Sequence, residues 1–209
     1  MATRKNITGY TAAEALARLK AGNQRFLRGR ARFPTVQKEV LVELAKEQRP
    51  YATIIGCSDS RVPPELLFDA HFGELFIVRV AGNVISPEVM GTLQYAAVHL
   101  RTPLFVVLGH ARCGAVQAAL GKKYEAKRER SHIELLLSRI LPGLEQLDPK
   151  LAGDARLDAA VEANVRWSMR QLRETPEGRA RMAEGILKLV GAVYDIQTGK
   201  VRFLDPSNE

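Results

Sequence analysis

Apolar positions change their spacing several times along the chain, and each change marks an element. Leu16, Leu19, Phe26 and Leu27 share one side of a helix over residues 11–29. Thr11 followed by Glu14 is a capping-box signature for its start, and Gly29 a plausible stop. Val36, Val40, Leu41 and Leu44 predict a second amphipathic helix over 36–48. Arg49-Pro50 ends it, because a residue before proline avoids helical backbone. Next come three nearly unbroken apolar runs: YATIIG (51–56), LFIVRVAGN (75–83) and LFVVLGH (104–110). They read as strands buried on both faces of a parallel sheet. A helical stretch from Pro87 to Leu100 lies between the second and third, long enough for a right-handed crossover. Residues 112–121, 132–141 and 158–174 are helical by period. KLVGAVYDIQTGKVRFL (188–204) predicts a strand, a turn at Gln197-Thr198-Gly199 and a returning edge strand. There is no internal repeat and no linker. The expectation is a single α/β domain over 1–209. It has a mainly parallel central sheet of four to five strands, helices on both faces, and an N-terminal helical arm over 1–35.

Composition narrows the class. The chain has 209 residues, 46% hydrophobic and 26% charged, which is ordinary for a globular protein and excludes disorder. No run of about 18 apolar residues occurs, so no membrane span is expected. The N-terminus carries charges throughout and lacks the apolar core of a secretory signal. Two cysteines make no disulfide framework, so the expected location is the cytoplasm. The net charge of +8 raises the question of nucleic acid. The densest basic run, Lys122 to Arg130, is interrupted by glutamates and carries no interleaved stacking aromatics, so nucleic acid is not an expected partner.

The two cysteines carry the candidate chemistry. Cys57 follows the first predicted strand and Cys113 the third, where open α/β sheets place ligand sites. Asp59 stands two positions after Cys57, and His110 three before Cys113. Thiolate, imidazole and carboxylate are zinc ligands. Each residue also has a bland reading: a small core hydrophobe for a cysteine, a surface ion pair for Asp59 with Arg61, a helix-capping residue for His110. The conjunction at two strand ends favours a zinc site.

CSDSR at 57–61, then Gly82-Asn83 and GHARCGA at 109–115, resembles the β-class carbonic anhydrases. Gln48 with Pro50, FGELFIVR at 72–79, Gln94-Tyr95, EANV at 162–165 and VYDIQTGKV at 193–201 extend the resemblance over nearly the whole chain. It implies one Zn2+ per chain on Cys57, His110 and Cys113. Asp59 is then either a fourth ligand or the partner of Arg61. Gln48, Phe76, Ala81, Tyr95 and the Gly114 N–H are implied to line the substrate cavity. The implied reaction is reversible hydration of carbon dioxide to bicarbonate by zinc-bound hydroxide. The implied assembly is a homodimer or a dimer of dimers, with the N-terminal arm on the partner. Ala111-Arg112, Val80 and Ala81 depart from common family residues and bear on pocket shape. Ile54 stands where members with a bicarbonate-locked form carry Trp, which favours Asp59 on Arg61. His71 and His99 are available as proton shuttles. Two other readings use the same scaffold: a carbonyl sulfide or carbon disulfide hydrolase, and a non-catalytic zinc-stabilised regulator.

Overall fold

The apolar runs become a five-stranded sheet: β1 (Ala52–Gly56), β2 (Leu75–Arg79), β3 (Leu104–His110), β4 (Lys188–Tyr194) and β5 (Val201–Phe203). The computed structural model describes residues 9–32 and 38–205. Strand order is β2-β1-β3-β4-β5, with the first four parallel and β5 antiparallel to β4. β1 and β3 are buried throughout, as their unbroken apolar runs predict. β2 departs from that expectation: only Val78 is buried, because β2 lies at the sheet edge and has one strand neighbour. The chain leaves β1 for β2 on one side and crosses back to β3 on the other. The carboxyl ends of β1 and β3 therefore flank a topological switch point, where such sheets open a crevice.

Helices cover both faces. α1 (Ala12–Leu27) starts with the expected capping box: Thr11 N–H donates to Glu14 Oε2 at 2.8 Å and Glu14 N–H to Thr11 Oγ1 at 3.2 Å. Gly29, just past its end, has a left-handed φ of +62°. α2 (Lys38–Leu44) is shorter than the expected 36–48. Residues 33–37 lie outside the described residues, and a turn at Ala45 and Lys46 closes the helix ahead of Pro50. α3 (Pro64–Leu67) is a single turn. α4 (Pro87–Tyr95) begins at a Ser86 cap and continues as a π-helical turn, Ala96–Leu100, so the two together span the expected crossover. α5 (Gly114–Glu125), α6 (Ser131–Ile140) and α7 (Gly153–Arg173) follow β3. α7 starts five residues before the apolar period that announces it. α8 (Pro176–Ala183) was not expected, and it buries no residue.

One apolar layer, with Leu19, Ile54, Phe68, Leu104 and Val106, joins α1 and α3 to the sheet. The opposite layer joins α4 and α7 through Ile55, Leu93, Val107, Val165 and Met169. Fully burying one such side chain contributes ~1.5–3 kcal/mol. A third cluster, with Val116, Leu137, Ile140 and Val161, packs around Cys57 and Cys113 at the carboxyl end of the sheet. Within its described length the N-terminal arm is tied to its own chain. Asn23, buried on α1, donates to Leu67 O at 3.2 Å and Gly199 O at 3.0 Å and accepts from Val201 N–H at 3.0 Å. Gly22 beside it lies so close to Phe68 O that any side chain would collide. Among the described residues no helix is long and apolar enough to cross a membrane.

Candidate metal centre

β1 passes directly into Cys57, and β3 ends at His110, three residues before the residue that precedes α5, Cys113. Gly56 and Leu108 are paired in register, so the two strand ends lie side by side. The donor atoms of Cys57, His110 and Cys113 lie within 4.8 Å of one another, and all three residues are buried. Both cysteines are free thiols.

Two local observations test whether a metal fits. His110 Nδ1 lies 2.9 Å from Ala111 O, a contact that places the proton on Nδ1 and leaves a lone pair on Nε2. His110 Nε2 is buried and has no hydrogen-bond partner among the described residues. An orphaned buried nitrogen costs about 1–3 kcal/mol unless something answers it. The thiols give the second observation. The Cys57 thiol is pushed down from its ordinary value, first by the neighbouring Cys113 thiol, with the nearby His110 imidazole and the N–H groups of Gly82 and Asp59 adding to the effect against burial. Cys113 is pushed up, by the same pairing first and by burial. A divalent cation between the two sulfurs would draw both into the thiolate form. Two thiolates and an imidazole at close range suit zinc in a tetrahedral site.

Asp59 sits beside this trio. Its Oδ2 is 3.8 Å from His110 Nε2, while Arg61 holds both of its oxygens. Arg61 side-chain hydrogen bonds, with its main-chain N–H, keep the Asp59 carboxyl well below the usual carboxylate range against a smaller effect of burial. A cleft of about 410 Å³ opens outside Arg61, lined also by Arg112, Asp154, Asp158 and Asp195.

Three supporting residues escaped the sequence reading as contributors to the site. Arg79 donates to main-chain carbonyls of the 57–59 turn. Asn164 donates to Gly82 O, and Ser168 bonds Asn83 both as acceptor and as donor. Arg79 and Asn164 fall inside the FGELFIVR and EANV stretches, which was the only available signal.

The implied cavity residues are less gathered. The rings of Phe76 and Tyr95 lie 6.2 Å apart, and Tyr95 stacks on His99 at 5.0 Å. Tyr95 is 46% exposed. Ala81 is half-buried in the turn after β2, Gly114 is exposed at the start of α5, and Gln48 is exposed between α2 and β1.

Residues 52–201 match the family model described as carbonic anhydrase. A carbonic anhydrase of Mycolicibacterium smegmatis is 38% identical over 184 residues, covering 88% of each chain. The β-carbonic anhydrase CcaA superposes with a TM-score of 0.76 at 28% identity, over 91% of this chain and 87% of that one. One of two tetrameric β-carbonic anhydrases from Sordaria macrospora superposes with a TM-score of 0.71 at 26% identity, over 91% of this chain and 94% of that one.

Proposed function

The chain belongs to the β-class carbonic anhydrases, and from that premise we propose that it converts carbon dioxide and water reversibly into bicarbonate and a proton, with one zinc ion held by Cys57, His110 and Cys113. The carrying observation is the closeness of three buried donor atoms, one of which, His110 Nε2, has no partner among the described residues. When bound, zinc supplies the Lewis acidity that makes water nucleophilic near neutral pH.

The chain's own groups do the rest. The Ala111 carbonyl fixes the His110 tautomer and aims Nε2 into the site. Asp59 acts as a hydrogen-bond acceptor at the mouth of the site, because Arg61 keeps it ionised. An acceptor there admits an oxygen that still bears a proton and turns that oxygen's lone pair toward the carbon of the substrate. If Arg61 let go, the same carboxylate could reach the metal as a fourth ligand. Phe76, Ala81 and Tyr95 suit the walls of a pocket for a small apolar gas, with Gln48 and the Gly114 N–H as polar guides.

The exposure of Gln48 and Tyr95 in one chain supports a site completed by a second copy. The assembly we assign is a homodimer or a dimer of dimers, with the arm over 1–35 extending to the partner; the Sordaria relatives are tetrameric. The whole chain, 1–209, is assigned as one domain. Two thiols as metal ligands suit a reducing compartment, and the cytoplasm is the assigned location.

The test is stopped-flow hydration of carbon dioxide on protein of measured zinc content, with carbonyl sulfide and carbon disulfide assayed beside it. Zinc-dependent hydration is expected. Turnover of the sulfur substrates alone would replace the assignment with a hydrolase, and a zinc-loaded but inert protein would replace it with a regulator.

A further inference from the structure

Cys57 Sγ accepts two main-chain hydrogen bonds, from Asp59 N–H at 3.4 Å and Gly82 N–H at 3.3 Å. Each donor residue is itself gripped by its carbonyl. Arg79 Nη2 donates to Asp59 O at 2.6 Å, and Asn164 Nδ2 donates to Gly82 O at 2.8 Å. Arg79 also donates through Nε to Cys57 O at 2.9 Å, so one planar guanidinium spans the 57–59 turn. A residue's N–H and C=O belong to adjoining rigid peptide planes, so holding the carbonyl restricts the torsions that aim the N–H.

The two grips come from separate elements. Arg79 ends β2, and Asn164 is 1% exposed on α7. Gly82, between them, has a φ of +66°, and a side chain there would press on Ile140 and Ala115. The Gly82 N–H is thus delivered by a backbone shape that only glycine takes easily. Such an arrangement costs conformational freedom and would be wasteful around an inert core thiol.

We propose that Arg79 and Asn164 are positioning residues that set how much charge the Cys57 sulfur gives to the metal, by aiming the Asp59 and Gly82 N–H groups at it. The inference rests on Cys57 being a zinc ligand. An N–H directed at a thiolate draws electron density from the sulfur and leaves the metal a stronger Lewis acid. Loss of such outer partners costs about 10–100-fold in metal affinity or activity.

The experiment uses the full chain as Arg79→Ala, Arg79→Lys and Asn164→Leu, with the native protein beside them. Each is loaded with cobalt(II), and the sulfur-to-cobalt charge-transfer band is recorded. Zinc affinity is measured by competition with a chelator. Expected is a band at longer wavelength in Arg79→Ala and Asn164→Leu, a smaller shift in Arg79→Lys, and zinc bound about tenfold more weakly in the first two. Arg79 is exposed, so Arg79→Ala should fold, and it decides the matter if Asn164→Leu does not. An unmoved band in a folded Arg79→Ala that binds metal would overturn this inference alone, even with weakened zinc, because that pattern is a purely structural loss. A native protein that binds neither metal would overturn the metal centre and this inference with it.

Discussion

Arg61 meets Asp59 three times: its Nε and main-chain N–H donate to Oδ1 at 2.9 and 3.0 Å, and its Nη2 donates to Oδ2 at 2.7 Å. The fork and the turn hydrogen bond hold the carboxylate in one plane, with Oδ2 beside His110 Nε2. A residue two positions away thus decides which way a potential metal ligand faces.

Removing the fork should therefore damage catalysis more than metal binding. Arg61→Ala is expected to lower kcat/KM by roughly 10²-fold or more while zinc stays bound. Arg61→Lys, which cannot form a planar fork, should recover only part of the loss. Near-native turnover in Arg61→Ala, with zinc measured in the same sample, would show that Asp59 needs no holder.

Losing one sulfur should empty the site. Cys113→Ala is expected to copurify with little zinc, and stripping zinc from the native chain with a chelator should abolish hydration and lower Tm. Elemental analysis and a thermal scan on the same preparations check both. Tightly held zinc in Cys113→Ala would remove Cys113 from the ligand set.

A second carboxylate, far from this chemistry, should govern acid stability. Asp69 is buried, with its side chain 2% exposed, and lies between Arg25 and Arg32. Burial alone would raise its pKa. The Arg25 guanidinium and the Arg32 N–H groups outweigh it and hold the carboxyl below the usual range. A depressed carboxyl contributes stability that is present above its ordinary pKa of about 3.9 and is lost as pH falls through the lower folded value. Asp69→Asn should cost about 2 kcal/mol at neutral pH, since both arginines stay partly in water. The gap between native and variant should close on acidification. Urea titrations at several pH values measure it, and a gap that widens in acid would reverse the sign argued here.

The exposed Tyr95, stacked between Phe76 and His99, should be covered by a second chain. Sedimentation equilibrium is expected to give a dimer or a dimer of dimers, and Tyr95→Asp to weaken it. A fully active monomer would show that one chain completes the cavity.

The central features were legible because they are local or chemically rare. Thr11 with Glu14 fixes the start of α1 within four residues, and the apolar runs of β1 and β3 leave them only the middle of a sheet. Two cysteines at two strand ends, each near a ligand-type residue, single out the metal centre. The burial of β2 was misjudged because its run resembles that of β1, and apolar content does not say which strand ends at an edge. α8 has polar composition and no buried face, so its Thr175 cap and Pro176 were its only marks. Arg79 and Asn164 were invisible as supports because they act on main-chain carbonyls of residues 20 to 82 positions away.

Asn23 gives the outer parts of the chain a common fate. Its one amide bonds the backbone where α3 ends and the turn and first residue of the β4–β5 hairpin, so the helical arm cannot peel away without unlatching β5. The three segments should open as one unit, and their amide protons should exchange at a shared rate. The turn at 197–199 looks like a tolerant surface loop. An insertion there would nonetheless be felt in the arm, because Gly199 sits so close to the Phe26 ring and a Leu27 methyl that even a Cβ would press on them.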